Sequence, residues 1–366
     1  MPYPEKIDAL GITNYDNWKT PSRFQYVPQE FRDYDVDIEI EACAICGSDV
    51  HVVKSNWGRP YVPVAVGHEI IGRVVKVGPE SKKKFQVGDR VGVGAQCDCD
   101  NTCSACIDGF QNNCIAQVGT YFGKNPKTGF NTIGGNASHI RVNSEFVFKI
   151  PDSLETKYAA PMLCGGITGF APLLNNNVGK GMKVGVVGIG GIGHMTVLFA
   201  KALGAEVTAI SRSRAKEQDA KKLGADHYCV SSDESSLKQS NRTLDLIVNT
   251  TSSLSESDIS TIMSLLKPRG KLCVISAPPI SETLKLKVFP LLMMGYSIEF
   301  SAIGSPSQIQ FMLDFAAKHQ IKPWIETYDI NEKSLGDAWQ KVDNGDVKFR
   351  AVMVGYDKYF GREARM

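Results

Sequence analysis

Long apolar runs are missing from this chain. No stretch of about 18 or more apolar residues occurs, so no membrane span is expected. Charge of one sign is scarce too: 41 Lys and Arg against 39 Asp and Glu leave a net charge of +2. Without a basic stripe or an acidic tail, neither nucleic acid nor an anionic membrane is expected as a partner. The opening MPYPEKIDALGITNYDNW carries no apolar core of signal-peptide length. Low-complexity tracts and internal repeats are absent. The expectation is a cytoplasmic protein. At 366 residues, with 43% hydrophobic residues, it can bury a sizeable core in two domains.

Cysteine, by contrast, is concentrated. Five of the ten cysteines fall in CDCDNTCSACIDGFQNNC, residues 97–114. Thiols of a cytosolic protein stay reduced, so such a cluster reads as a metal site rather than a disulfide framework. Cys103, Cys106 and Cys114 give C-x2-C-x7-C in a polar, Gly-containing lobe. A structural zinc needs four ligands. The fourth must come from Cys97, Cys99 or Asp100, and Cys99 is preferred because thiolate is the softer donor.

Periodicity divides the chain. VDIEIEA (36–42) and much of EIIGRVVKVG (69–78) alternate with period two, and Gly and Pro punctuate densely up to about residue 157, which indicates a mostly antiparallel β domain. From 158 the pattern changes. Apolar strand candidates at 183–187, 206–210, 244–249 and 270–276 alternate with helical segments, as in a doubly wound parallel sheet. SIEFSAI (297–303) reads as another strand. A helix in SPSQIQFMLDFAAKH and a final strand RAVMVGY follow. The expected class is α/β, with a β-rich domain over 1–157, a nucleotide-binding domain over 158–303, and a return segment over 304–366.

Three sites carry chemistry. GVVGIGGIG places Gly188, Gly190 and Gly193 in G-x-G-x-x-G spacing between a strand and a helix. There the first glycine makes the turn, the second admits pyrophosphate, and the third packs helix on strand. At the end of the next strand, where an acidic residue would hold a ribose 2′-hydroxyl, Ser211 stands instead. Arg212, Arg214 and Lys216 follow, cations suited to a 2′-phosphate. The third site is split among CAICGSDVH, VGHE and PMLCGG. Two Cys and one His with an open position suit a catalytic zinc, but spacing alone cannot join such distant segments.

Resemblance joins them. Over essentially its full length the chain resembles the zinc-dependent medium-chain alcohol dehydrogenases, and within them the NADPH-dependent cinnamyl alcohol dehydrogenase group of the fungal, broad-specificity kind. The stretches that carry the likeness are CAICGSDVH, VGHEIIG, VGDRVGVGAQ, LCGGITGFAPL, GVVGIGGIG, ISRSRAK and GADHY. The resemblance implies a GroES-like catalytic domain followed by a Rossmann domain. It implies a catalytic zinc on Cys46, His68 and Cys164, with Glu69 a transient ligand and Asp49 supporting the His68 imidazole. Ser48 and His51 would relay protons. The glycine turn, with Gly191 and Ile192, would hold pyrophosphate; Ser211, Arg212 and Lys216 would hold the 2′-phosphate, and Arg350 would reach the cofactor phosphates. Trp57 and Tyr61 would border the substrate. Two zinc ions per chain, NADP(H), an aldehyde or alcohol substrate and a homodimer meeting near 297–303 are the implied partners.

The chain departs from the group's pattern at three places. Asp100 stands at a usual structural-zinc cysteine, Asn136 where an aromatic is more frequent, and Gly169 where a β-branched residue is common. A polyol dehydrogenase of the same superfamily is the rival enzyme; LCGG and ISRSR speak against it. A catalytically silent zinc-containing relative is the rival of another class, but no ligand or relay residue is missing.

Overall fold

The computed structural model describes residues 3–251, 255–278 and 283–361. It forms two compact units, Met1–Cys164 with Gly304–Met366, and Gly165–Ile303. The first boundary follows Cys164. The short helix Thr156–Ala159 and the 3-10 turn Ala160–Leu163, expected to open the second domain, therefore lie in the first unit.

In chain order the first unit contributes β1 (Ile7–Gly11), β2 (Ser22–Tyr26), β3 (Asp35–Ile45), β4 (Ile70–Val77), β5 (Arg90–Val93), β6 (Gln96–Asp98), β7 (Val118–Gly119), β8 (His139–Asn143) and β9 (Val147–Lys149). The second unit contributes β10 (Lys183–Val187), β11 (Glu206–Ser211), β12 (His227–Val230), β13 (Leu244–Asn249), β14 (Leu266–Val274) and β15 (Ser297–Phe300). The first unit resumes with β16 (Ile325–Asp329) and β17 (Arg350–Val354).

The main sheet of the first unit runs β16-β17-β3-β4-β5-β9, with β8 also paired to β3. Its pairings are antiparallel except β16 with β17. The period-two pattern of β3 places Val36, Ile38 and Ile40 in the core. Two of its polar residues are buried as well, because each finds a cation: Asp35 pairs with Arg32 at 2.7 Å and Asp37 with Arg141 at 2.7 Å. Buried charges of this kind are tolerated only when paired. Around the sheet lie the helix Gly47–Val53, whose Val50, Val52 and Val53 enter the core, and Glu332–Asn344, which buries Trp339.

The second unit is a six-stranded parallel sheet in the order β12-β11-β10-β13-β14-β15. Numbered within the unit this is 3-2-1-4-5-6, the doubly wound order whose topological switch lies between β10 and β13. β10 and β13 read as short apolar runs because they are covered on both faces. Helix Gly165–Asn175 packs closely on helix Gly193–Ala202: a Cβ on Gly169 would meet Thr196 Oγ1 at 2.3 Å. Gly169 therefore serves helix contact within this unit. Among the described residues no helix is long and apolar enough to cross a membrane.

Candidate active site and metal centres

Three segments of the first unit converge on one point. Cys46 ends the loop after β3 and caps the helix Gly47–Val53, His68 precedes β4, and Cys164 follows the 3-10 turn. All three are buried, and their ligand atoms lie within 4.8 Å of one another. The two sulfurs are 3.9 Å apart, and the cysteines are free thiols. Two thiolates about 2.3 Å from a shared tetrahedral zinc would sit about 3.8 Å apart. His68 Nε2 is buried without a hydrogen-bond partner among the described residues, as a nitrogen reserved for a metal would be. The donors thus fit zinc. Cys164 holds the Cys46 thiol well below its ordinary value, and Cys46 in turn raises Cys164, so the two share a proton that a divalent cation can displace. Burial alone would lower the His68 imidazole, but Cys46, Asp49 and Glu69 outweigh it and lift it to about 9.

Asp49 braces this cluster through the backbone. Its Oδ2 accepts from the backbone N–H of Cys46 (2.8 Å) and its Oδ1 from that of Gly67 (3.1 Å). It thus ties together the two segments that carry ligands, while the His68 ring stacks on Tyr121, centroids 5.1 Å apart. Burial raises the Asp49 carboxyl, and the imidazole opposes that rise. Gly67 is required at this turn. Its φ is +103°, and a Cβ would meet Cys43 Sγ at 2.8 Å. Asn136 is buried beside Gly67, where its Oδ1 accepts from the Tyr356 hydroxyl at 3.4 Å, a core position.

Glu69 is not among the grouped ligands. It is fully buried and pairs with Arg350 at the start of β17. Arg350, expected to reach cofactor phosphates, is itself buried in that pair, its Nε without a partner among the described residues. Ser48 Oγ lies 3.6 Å from Cys46 Sγ. His51, three positions on along the same helix, stacks on Trp57 with centroids 4.9 Å apart, and the Asn56 amide lies 3.1 Å from its Nδ1. Tyr61 is exposed and lines a hollow of about 340 Å³ with Tyr26, Phe122 and Phe130, apart from Trp57.

In the cysteine lobe the donors that come together include Asp100 rather than the expected Cys99. Asp100, Cys103, Cys106 and Cys114 bring one ligand atom each within 4.8 Å of the others. Cys99 is outside this group. Its sulfur is 3.7 Å from Cys106 Sγ but donates to Asn101 Oδ1 at 2.9 Å. Cys97 lies farther back, against the Gly119 carbonyl. Backbone N–H groups of Thr102 and Cys103 hold the Asp100 carboxyl down at about 2.

In the second unit a cavity of about 480 Å³ opens at the switch point. Gly188, Gly190, Gly191, Ile192, Ser211, Arg212 and Lys216 line it. Gly188 has φ +84°, a Cβ on Gly193 would meet the Gly188 carbonyl at 1.8 Å, and Gly190 faces open space. The first glycine thus makes the turn, the third admits the helix, and the second leaves room for a ligand. Lys216 Nζ donates to the Ile189 carbonyl at 2.9 Å. Arg214 is taken by Glu217 (3.0 Å) and Asp233 (3.9 Å), leaving Arg212 as the lining guanidinium. The open second glycine and the adjacent cations fit a phosphorylated dinucleotide.

Two domains of known kind match the chain: an alcohol dehydrogenase GroES-like domain over residues 32–152 and a zinc-binding dehydrogenase domain over 191–318. The chain is 42% identical over 361 residues to NADP-dependent alcohol dehydrogenase 6 of Saccharomyces cerevisiae, covering 98% of this chain and 99% of that one. It belongs to the zinc-dependent alcohol dehydrogenases. This dehydrogenase is also 41% identical to mannitol dehydrogenase of Petroselinum crispum, over 91% of its own length and 97% of that protein. A solved cinnamyl alcohol dehydrogenase from Sorghum bicolor superposes on it with a TM-score of 0.89 at 35% identity, covering 95% of this chain and 97% of that one. The dehydrogenase is thus a zinc-dependent oxidoreductase that interconverts alcohols and aldehydes with NADP(H).

Some residues that build its site were not anticipated. Tyr121 has no motif to mark it. Thr250 stands just past the C-terminal end of β13, where ligands of such sheets gather; its hydroxyl lies 2.9 Å from both the Val187 and Gly188 carbonyls and braces the glycine turn. Ser231 and Asp258 also line the cavity.

Proposed function

We propose that this dehydrogenase acts chiefly as a reductase of aromatic aldehydes, such as cinnamaldehyde and benzaldehyde, and of medium-chain aliphatic aldehydes, using NADPH. The observation that carries this reading is the buried Cys46–His68–Cys164 group with its unpartnered His68 Nε2. When bound, zinc supplies a Lewis acid and the reduced nicotinamide a hydride. The chain's own groups do the rest. Cys46, His68 and Cys164 would hold the metal, a Lewis acid toward the substrate oxygen. Ser48 holds the proton which that oxygen takes up on reduction, and His51, one helical turn on, resupplies it from solvent. The stacked Trp57 keeps the His51 ring in one orientation and borders the substrate.

In the nucleotide unit the glycine turn receives pyrophosphate, and Ser211, Arg212 and Lys216 receive the 2′-phosphate. The dehydrogenase works as a homodimer in the cytoplasm. Apolar side chains of helix Val288–Met294 support the dimer: Val288, Phe289, Leu292 and Met293 are 67–72% exposed, and β15 is the edge strand of its sheet. Ten free cysteines support a reducing compartment.

Loss of NADPH absorbance with cinnamaldehyde, benzaldehyde and a medium-chain aldehyde tests the reading. Turnover is expected with each and should vanish in Cys46→Ala, whose fold should persist. Faster oxidation of mannitol than reduction of any aldehyde would instead favour the polyol reading, which the relative from Petroselinum crispum raises.

A further inference from the structure

We infer that the second zinc of this chain is held by three thiolates and one carboxylate, Cys103, Cys106, Cys114 and Asp100, and that Cys99 is a thiol withheld from the metal. The inference rests on the reading that the chain carries two zinc ions. It turns on two neighbouring donors, of which the softer is passed over.

The backbone decides between them. Asp100 Oδ1 accepts from Thr102 N–H at 2.8 Å and Cys103 N–H at 3.1 Å, so the carboxylate is fixed with one of its oxygens within 4.8 Å of the three sulfurs. Carboxylate oxygen is an ordinary zinc ligand at about 2.0–2.2 Å, and with three thiolates it gives the same formal charge as four thiolates. Cys99 is anchored on every side. Its N–H donates to Asp98 Oδ1 at 2.8 Å, its carbonyl accepts from Lys127 Nζ at 2.8 Å, and its thiol donates to Asn101 Oδ1 at 2.9 Å. Asp98 in turn is gripped by Arg32 (2.7 Å), Asn125 (3.1 Å), Asn143 (3.1 Å) and Lys127 (3.2 Å). Asn101 turns the chain at φ +63° directly after Asp100. Bringing Cys99 into the group would break its thiol bond and pull against a backbone held by Asp98 and Lys127.

The test uses the purified zinc-loaded chain and its variants, read by metal content and spectrum rather than turnover. Two zinc ions per chain are expected in the parent and in Cys99→Ser, and one in Asp100→Asn. Loss of a zinc from Cys99→Ser, with Asp100→Asn keeping both, overturns the assignment; one zinc in the parent overturns the two-zinc reading itself. Asp100→Cys gives a second measurement should Asp100→Asn fail to fold. After full exchange to cobalt, the parent's thiolate ligands number five, Cys46, Cys164, Cys103, Cys106 and Cys114. Asp100→Cys adds a sixth, so the sulfur-to-cobalt charge-transfer band should rise by about one-fifth. An unchanged band overturns the assignment, because it means the sulfur set was already complete through Cys99.

Discussion

Asp98 is almost fully buried, and it keeps its charge because Arg32, Lys127, Asn125 and Asn143 all donate to it. Burial raises its carboxyl, but Arg32 and the other donors outweigh that and hold it below the ordinary carboxylate range. A depressed carboxylate adds stability in full above its unfolded value near pH 3.9, and that stability is lost as pH falls through the lower folded value. Acid titration of unfolding should therefore show a loss below about pH 4 that Asp98→Asn lacks. Asp98→Ala strands part of the Arg32 charge and should cost about 3–5 kcal/mol in urea unfolding, the usual effect of breaking a buried pair. Ser211 decides a different quantity. Charge-assisted bonds to phosphate are worth about 1.5–3 kcal/mol each, partly lost to solvent at this exposed edge, so NADPH should be favoured over NADH by about 2–4 kcal/mol, or roughly 30- to 1000-fold. Ser211→Asp should invert the preference, and steady-state kinetics with both cofactors decides it. At this scale the resemblance, not spacing, brought Cys46, His68 and Cys164 together, and their ligand atoms lie within 4.8 Å of one another. In the lobe the sequence preferred Cys99 for its softer sulfur, because the contacts of Lys127 and Asn143 and the Asn101 turn are not encoded in spacing.

The glycine turn after β10 separates two kinds of substitution. Gly193→Ala puts a methyl group 1.8 Å from the Gly188 carbonyl, so the turn itself must shift and thermal stability should fall even without cofactor. Gly190→Ala meets only open space in the cavity. It should leave the melting temperature unchanged yet weaken NADPH binding at least tenfold, about 1.4 kcal/mol, in a fluorescence titration. Strands of the second unit were legible because apolar runs bounded by Gly and helical segments have few other readings. The β6–β7 pair and the 3-10 turn before Cys164 were not, being too short to show a period. β3 was legible as a strand, but the burial of its first polar residues was not, since Asp35 and Asp37 look solvent-facing until Arg32 and Arg141 are placed opposite. In the sequence Gly169 is only a departure from a β-branched position. Thr196, distant in sequence, makes it a packing contact, and Gly169→Val should destabilise this unit whatever it does to substrate choice.

The second unit leaves helix Val288–Met294 with an apolar face toward solvent, beside the edge strand β15. Such a face together with an unpaired edge invites a second copy. Phe289→Lys with Leu292→Lys should shift the sedimentation coefficient from dimer to monomer while NADPH binding persists. The discontinuous first unit has another consequence, in the order of biosynthesis. β17 lies between β16 and β3 and carries Arg350, the partner of Glu69. A ribosome delivers β3, all three ligands of the buried group and the whole second unit before β17 emerges. Domains usually complete in the order of translation. Here the unit encoded first must wait: until the last twentieth or so of the chain is released, β3 lacks a neighbour and Glu69 lacks its cation. The nucleotide unit, unbroken from 165 to 303, is the part a nascent chain can finish first. Ribosome-bound chains halted near residue 340 should therefore resist protease over 165–303 while their amino-terminal third is still cut.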